Sequence, residues 1–305
     1  MQDFQDQIAF ITGGASGAGF GQAEVFGRAG AKIVIADVRA EAVRDALVRL
    51  DDMQVEAHGI VLDITDRAAF ARAADEVETV FGGAPTLLFN TAGVNSFGPL
   101  ERTTYGDFDW LIGVNLGGVI NGMVTFVPRM IAAGRPGHIV AVSSMGGFEG
   151  SNFAGPYSAA KAAVINLMEG YRKALEHYEI GVTVLCPANV KSNIAEATRL
   201  RPAAFGESGY VANEDTIASL HSIHIHGMDP IELAERLKEA IEANQLYCIP
   251  FPEEADKLVA HFNTITDSVL PIAADPEGAR RRAKALEDWR AQRAAAFSKS
   301  ETGQS

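Results

Sequence analysis

Tyr157 and Lys161, four positions apart, are the pair of side chains in this sequence most capable of acid–base chemistry. They stand in Gly155-Pro-Tyr-Ser-Ala-Ala-Lys161, a segment that starts a helix, so the spacing puts both on one face. A free tyrosine has a pKa of about 10, too high for a base at neutral pH, and a close ammonium favours the phenolate. By itself a Tyr-x-x-x-Lys pair reads more simply as an exposed helix pair. Its company changes the reading: Ser144 follows the strand-like run His138 to Val142 and lies 13 residues before Tyr157.

A second constellation lies near the start of the chain. Thr12-Gly-Gly-Ala-Ser-Gly-Ala-Gly19 is a glycine-rich turn between a strand and a helix. The missing side chains at Gly13, Gly17 and Gly19, with the small Ser16 and Ala18 between them, let the backbone approach a pyrophosphate, whose charge a helix N-terminus stabilises. The second strand ends at Asp37, 20 residues beyond Gly17, where a carboxylate can accept hydrogen bonds from both ribose hydroxyls of NAD and would repel the 2′-phosphate of NADP. Serine rather than a basic residue at position 16 points the same way, and Arg39 is the one dissenting charge. Asp63-Ile64 closes the third strand and Asn90-Thr-Ala-Gly93 the fourth, which adds Asp63, Ile64, Asn90, Ala92 and Gly93 to the candidate cofactor contacts.

These residues must be positioned by the elements between them. Short apolar runs rich in β-branched residues alternate with longer segments of helical period. The strands read as Ile8–Thr12, Lys32–Asp37, Val55–Leu62, Leu87–Asn90, His138–Val142, Val182–Leu185 and Leu246–Ile249, with helices near 19–29, 40–50, 66–81, 104–133, 156–178 and 230–243. In the last of these, Asp229 can cap, Pro230 fits the first turn, and Leu233, Leu237 and Ile241 form an apolar stripe. The alternation predicts an α/β fold: a doubly wound seven-stranded parallel sheet with helices on both faces, binding ligands at the carboxyl ends of its strands. A helical C-terminal extension, residues 251–305, follows a catalytic domain over 1–250 that includes an insertion at 193–228; Pro276 to Phe297 reads as a helix.

Taken in order, the glycine turn, Asn90-Thr-Ala-Gly, Asn115 in Val-Asn-Leu, Ser143-Ser144, Tyr157-x-x-x-Lys161 and Cys186-Pro-Ala-Asn-Val-Lys-Ser192 make the chain resemble the short-chain dehydrogenase/reductase family, of Rossmann type, over about residues 6–250. The resemblance implies that Tyr157 is the base in alcohol oxidation and the acid in ketone reduction. It implies that Ser144 holds the substrate oxygen, that Lys161 binds the nicotinamide ribose and lowers the tyrosine pKa, and that Asn115 supports a water leading protons to Lys161. Ser192 and the Val190 backbone would bond the nicotinamide amide. Two positions depart from the family pattern: Thr91 replaces an asparagine, and Ala188 a glycine. Within the family, Gly14-Ala-Ser-Gly-Ala-Gly-Phe-Gly21, Thr91 to Pro99, Lys191 to Glu196, Leu200-Arg-Pro202 and the Leu246 to Pro250 strand are similar to bacterial Cα-dehydrogenases of lignin β-aryl ether catabolism. That similarity implies NAD-linked oxidation of a benzylic secondary alcohol, with an aromatic small molecule as substrate. The family resemblance also implies a homo-oligomer, dimer or tetramer.

The loops expected to wall the substrate carry Phe97, Phe148, Phe153, Phe205 and Tyr210, rings suited to an aromatic alcohol. Three further readings stay open: a reductase of aromatic ketones, a dehydrogenase of another bulky alcohol, and a non-catalytic NAD-binding regulatory protein. A formal charge of −13 disfavours nucleic acid as a partner. The dense basic run Arg280-Arg281-Arg282 lies among acidic residues and reads as a solvated helix face. No run of about 18 uninterrupted apolar residues occurs, so no membrane span is expected. An acidic start without a secretion signal and two unpaired cysteines in apolar runs, Cys186 and Cys248, lead us to expect reduced thiols in a cytoplasmic protein. His221, His224 and His226 have no carboxylate or cysteine nearby to complete a metal site; they read as substrate-loop or interface histidines, and no metal is assigned.

Overall fold

The computed structural model describes residues 1–211 and 213–301, with side chains in the last helix through Arg293. Seven parallel strands form one sheet: β1 (Ile8–Thr12), β2 (Lys32–Asp37), β3 (Ala57–Val61), β4 (Leu87–Asn90), β5 (Gly137–Val142), β6 (Ile180–Leu185) and β7 (Tyr247–Cys248). Their order is β3-β2-β1-β4-β5-β6-β7. The winding therefore reverses between β1 and β4, which is where such sheets open a ligand crevice.

Why the strands read as unbroken apolar runs is visible in the packing. Successive side chains point to opposite faces, and here both faces are covered. Ile8 and Phe10 of β1 join one core while Ala9 and Ile11 join the other; Val34 and Ala36 of β2 likewise face away from Ile33 and Ile35. The first core is closed by α3 (Arg67–Phe81), α5 (Gly118–Ala133) and α6 (Gly155–Leu175), through Phe70, Phe126 and Met168 among others. The second is closed by α1 (Gly17–Arg28), α2 (Ala40–Asp52) and α8 (Pro230–Glu242), through Phe26, Leu50 and Leu237. The expected start of α8 is present: Asp229 accepts from the Ile231 amide at 2.9 Å, with Pro230 in the first turn.

Several boundaries differ from the sequence reading. β3 and β7 are shorter than expected, and β7 pairs with β6 only at Tyr247 and Cys248. The stretch read as one helix over 104–133 is α4 (Tyr105–Ile112), a π-helical turn (Gly113–Gly117) and α5. By length and composition Tyr105–Ala133 could cross a membrane, although its apolar residues are not consecutive; 56% of its most apolar window is buried in the fold. The insertion contains a helix absent from the sequence reading, α7 (Glu214–His224), whose N-cap Asn213 accepts from Thr216.

The chain separates into two compact units, Met1–Glu253 and the remainder from Glu254. The second holds α9 (Ala255–Asp267), also unforeseen, and α10 (Pro276–Glu301). Within it Arg282 of the basic run pairs with Asp275 at 2.9 Å. Residues 302–305 of the expected extension lie outside the described residues.

Candidate active site

The glycine turn is held by backbone. Gly13 (φ +67°) and Gly17 (φ +51°) take left-handed conformations that other residues adopt only with strain. Gly13 N donates to the Ala36 carbonyl at 2.7 Å, tying the turn to β2. Thr12 fixes the neighbouring strand end: its hydroxyl accepts from the Thr91 and Ala92 amides at 3.0 and 3.1 Å. Thr91, the departure from the family pattern, bonds Gln22 of α1 at 2.6 Å. Ser16 is the N-cap of α1 but gives it no side-chain cap, so the first amides of the helix have no side-chain acceptor beside the cavity that residues 16–19 line. That arrangement fits a pyrophosphate.

The Asp37 carboxylate is buried at the end of β2, and Arg39 already holds it. Arg39 Nε reaches Oδ1 and Nη2 reaches Oδ2, both at 3.0 Å, and Nη2 also donates to the Ser16 hydroxyl at 2.7 Å. The Asp37 hydrogen bond raises the Arg39 pKa above its ordinary value. A ribose docking here meets a carboxylate shared with a guanidinium, a partner that the sequence showed only as a dissenting charge.

At the other end of the crevice, Ser144 caps a short turn after β5, its oxygen accepting from Gly146 N at 3.1 Å. Tyr157 stands in the first turn of α6 and is hydrogen-bonded to Ser144. Lys161, one turn on, is buried and donates from Nζ to the Val142 carbonyl at 2.8 Å, with Nζ 5.5 Å from the Tyr157 ring centre. The expected depression of the phenol is not what the protein itself produces. Burial pushes Tyr157 up to about 12, against the pull of the Ser144 hydrogen bond. It also brings Lys161 down to about 8, which still leaves the ammonium mostly charged at neutral pH.

Asn115 occupies the π-helical turn, a distortion that often marks functional sites. Its Nδ2 donates to the Leu111 carbonyl at 2.9 Å, the group its own backbone amide would reach in a regular helix, and to the Val94 carbonyl at 2.8 Å. Its Oδ1 accepts from Val94 N at 3.2 Å. A Cβ on Gly93 would lie 2.8 Å from Asn115 Oδ1 and 3.4 Å from Lys161 Nζ, so both groups converge on a spot that only glycine leaves open. Asn115 is fully buried just behind the cavity, whose surface is formed there by Gly113 and Val114.

One cavity of about 800 Å³ runs from the glycine turn past Asp37 to Ser144, Tyr157 and Lys161, and on to Val190 and Ser192. Every candidate cofactor contact lines it except Asn90. The Asn90 side chain is buried beneath, its Nδ2 3.5 Å from Met123 Sδ, a contact inside the first core rather than on the cavity. Of the five expected substrate rings, Phe97 and Phe205 line the cavity. Phe148, Phe153 and Tyr210 do not: Phe148 packs 6.2 Å from the Tyr247 ring, Phe153 is half exposed, and Tyr210 is buried with its hydroxyl 2.6 Å from Thr103 Oγ1. Trp110, Leu200 and Glu196 line the cavity without having been singled out as wall residues; His224, one of the histidines read as belonging to a substrate loop or an interface, lines it too. His224 is held by Asn189, Nδ1 to Oδ1 at 3.0 Å. Both cysteines are buried free thiols, which burial pushes up to about 12.

The model of the short chain dehydrogenase family matches residues 7–202, which contain the whole Ser144, Tyr157 and Lys161 arrangement. The chain belongs to this family. The short-chain dehydrogenase described here is 71% identical, over 97% of its own length and 97% of the relative's, to a C alpha-dehydrogenase of Sphingobium sp. (strain NBRC 103272 / SYK-6). Among solved structures, the apo form of LigD from Sphingobium sp. strain SYK-6 is 64% identical, covers 88% of this chain and 100% of its own, and superposes with a TM-score of 0.76. A short-chain dehydrogenase/reductase from Burkholderia phymatum, in complex with NAD, is 30% identical over 89% of this chain and 99% of its own, with a TM-score of 0.82.

Proposed function

We propose that this dehydrogenase uses NAD to oxidise a bulky benzylic secondary alcohol, of the kind found in lignin-derived β-aryl ethers, to its ketone. The observation that carries the reading is the placement of Ser144, Tyr157 and Lys161 on the same cavity as an apolar wall of Phe97, Trp110, Leu200 and Phe205. Likeness to the C alpha-dehydrogenase supports the substrate class, and the NAD-bound relative supports the cofactor. NAD, when bound, supplies the hydride acceptor.

The residues of the chain divide the remaining work. The uncapped amides at the start of α1 hold the pyrophosphate, and Asp37 takes the adenosine ribose. Ser144 orients the substrate hydroxyl toward Tyr157, whose phenolate accepts its proton as the carbinol C–H bond breaks; in the reverse direction the phenol returns the proton. Lys161, fixed on the Val142 carbonyl, places a positive charge beside that phenolate. Asn115 and Gly93 keep the space behind Lys161 open for proton exchange. The reading extends to a cytoplasmic homo-oligomer, dimer or tetramer, for which Ile120 and Val124, exposed on α5, offer contact area.

The test is NADH formation with guaiacylglycerol-β-guaiacyl ether beside simple aliphatic secondary alcohols. A higher kcat/KM for the ether is expected, with the aryl ketone as product; preference for an aliphatic alcohol would overturn the substrate class. Light scattering of the purified protein checks the assembly, a monomeric mass being the contrary result.

A further inference from the structure

Between the short turns Ile194–Leu200 and Ala203–Phe205, Arg201 is turned inward. Only 12% of its side chain is exposed, and Nη1 lies 3.1 Å from Oδ1 of the fully buried Asp107 on α4. The same nitrogen donates to the Gly106 carbonyl at 3.1 Å, and Nη2 to the Phe205 carbonyl at 3.0 Å. The guanidinium carbon sits 5.7 Å from the Trp110 ring centre and 6.0 Å from that of Phe205. Asp107 meanwhile accepts from Ser208 Oγ at 2.7 Å and Gly209 N at 3.0 Å, and closes a capping box with Thr104.

One buried ion pair thus fastens the segment on both sides of Phe205 to the first turns of α4, where Trp110 stands. Arg201 Nε is buried without a partner, so the guanidinium is not placed to satisfy all its donors. A buried pair of this kind is weak evidence for stability and better attested as a device that sets registry. What it registers here is the cavity: Trp110, Leu200, Pro202 and Phe205 all line it, while Arg201 itself does not.

We propose that Arg201 is a specificity-determining positioning residue: by pinning Phe205 against Trp110 it fixes the wall on which the aryl group of the substrate rests. The selectivity part rests on the benzylic-alcohol reading above; the pinning part does not. Lysine would keep a charge for Asp107 but, as a point charge on a flexible stem, could not serve two carbonyls and two rings at once.

The experiment compares Arg201→Lys and Arg201→Met with the parent enzyme in a Trp289→Phe background, which leaves Trp110 as the sole tryptophan of the two in the chain. With guaiacylglycerol-β-guaiacyl ether as probe, KM rises about tenfold in Arg201→Lys while kcat and the Kd for NADH stay within about twofold, the size expected for a lost fit in an apolar pocket. Acrylamide quenches Trp110 fluorescence more strongly in both variants, and more in Arg201→Met than in Arg201→Lys. Unchanged quenching in both variants overturns the pinning. Increased quenching with unchanged KM overturns the selectivity, as does a KM rise matched by weaker NADH binding. A parent enzyme that leaves the ether untouched sinks the functional reading and the selectivity with it, and the quenching arm still decides whether Arg201 holds the wall.

Discussion

At the cofactor end of the cavity the walls are mainly backbone at strand ends, whereas at the substrate end they are side chains held by other side chains. The glycine turn is fixed by amide hydrogen bonds to β2 and by the Thr12 hydroxyl, and little there depends on a long side chain except the Asp37–Arg39 pair. The wall formed by Trp110 and Phe205 depends on the Arg201–Asp107 pair and on Ser208. Tyr157 and Lys161 lie between, on a helix buried against the sheet. The difference teaches that the two ends can be disturbed separately: damage to the turn should cost cofactor affinity, and damage to the strap should cost substrate affinity.

The sharpest break falls at the junction. Tyr157→Phe removes the proton acceptor together with its hydrogen bond to Ser144, so kcat should fall by about 10²- to 10⁴-fold, while NADH titration gives an unchanged Kd. Turnover near that of the parent enzyme would remove Tyr157 from the reaction. Next in size is Gly93→Ala. The added Cβ would press on Asn115 Oδ1 and Lys161 Nζ, and a displacement of that scale should cost up to about 10²-fold in kcat. Steady-state rates with thermal melting as a control would show whether the loss is catalytic.

A smaller effect belongs to the cofactor end alone. Arg39→Ala frees both Asp37 oxygens for ribose and removes a cation beside the place of a 2′-phosphate. The ratio of NADPH to NADH Kd should rise about tenfold, with KM for the alcohol unmoved; tighter NADPH binding would reverse the role assigned to Arg39.

The pH dependence separates the two directions of the reaction. Oxidation uses the deprotonated phenol, and burial holds Tyr157 at about 12, so kcat/KM for oxidation should climb through the neutral range. Ketone reduction uses the protonated phenol and should stay flat until the Lys161 charge is lost near about 8. Parallel profiles for the two directions would contradict the proton assignment.

How much of this was legible in the sequence follows the same division. Strands buried on both faces must be apolar throughout, so Ile8–Thr12 and Lys32–Asp37 are visible as runs, and a turn that needs left-handed backbone must show glycines at Gly13 and Gly17. The π-helical turn around Asn115 leaves no trace in a continuous apolar period. The α7 helix buries only Ile217, so its cap at Asn213 had no apolar stripe to announce it. Asp107 and Arg201 are far apart in the chain, and each alone reads as an ordinary surface charge. Phe148, Phe153 and Tyr210 show the converse: loop aromatics can be identified by position, but which of them turn toward the cavity is decided by packing that no local pattern records.

The central claim is that hydride leaves a benzylic carbon for NAD while Tyr157 takes the hydroxyl proton. Oxidising guaiacylglycerol-β-guaiacyl ether that carries deuterium on the benzylic carbon tests it most directly. The account predicts NADH bearing the label and an aryl ketone free of it; unlabelled NADH, or label retained beside the new carbonyl, would contradict it.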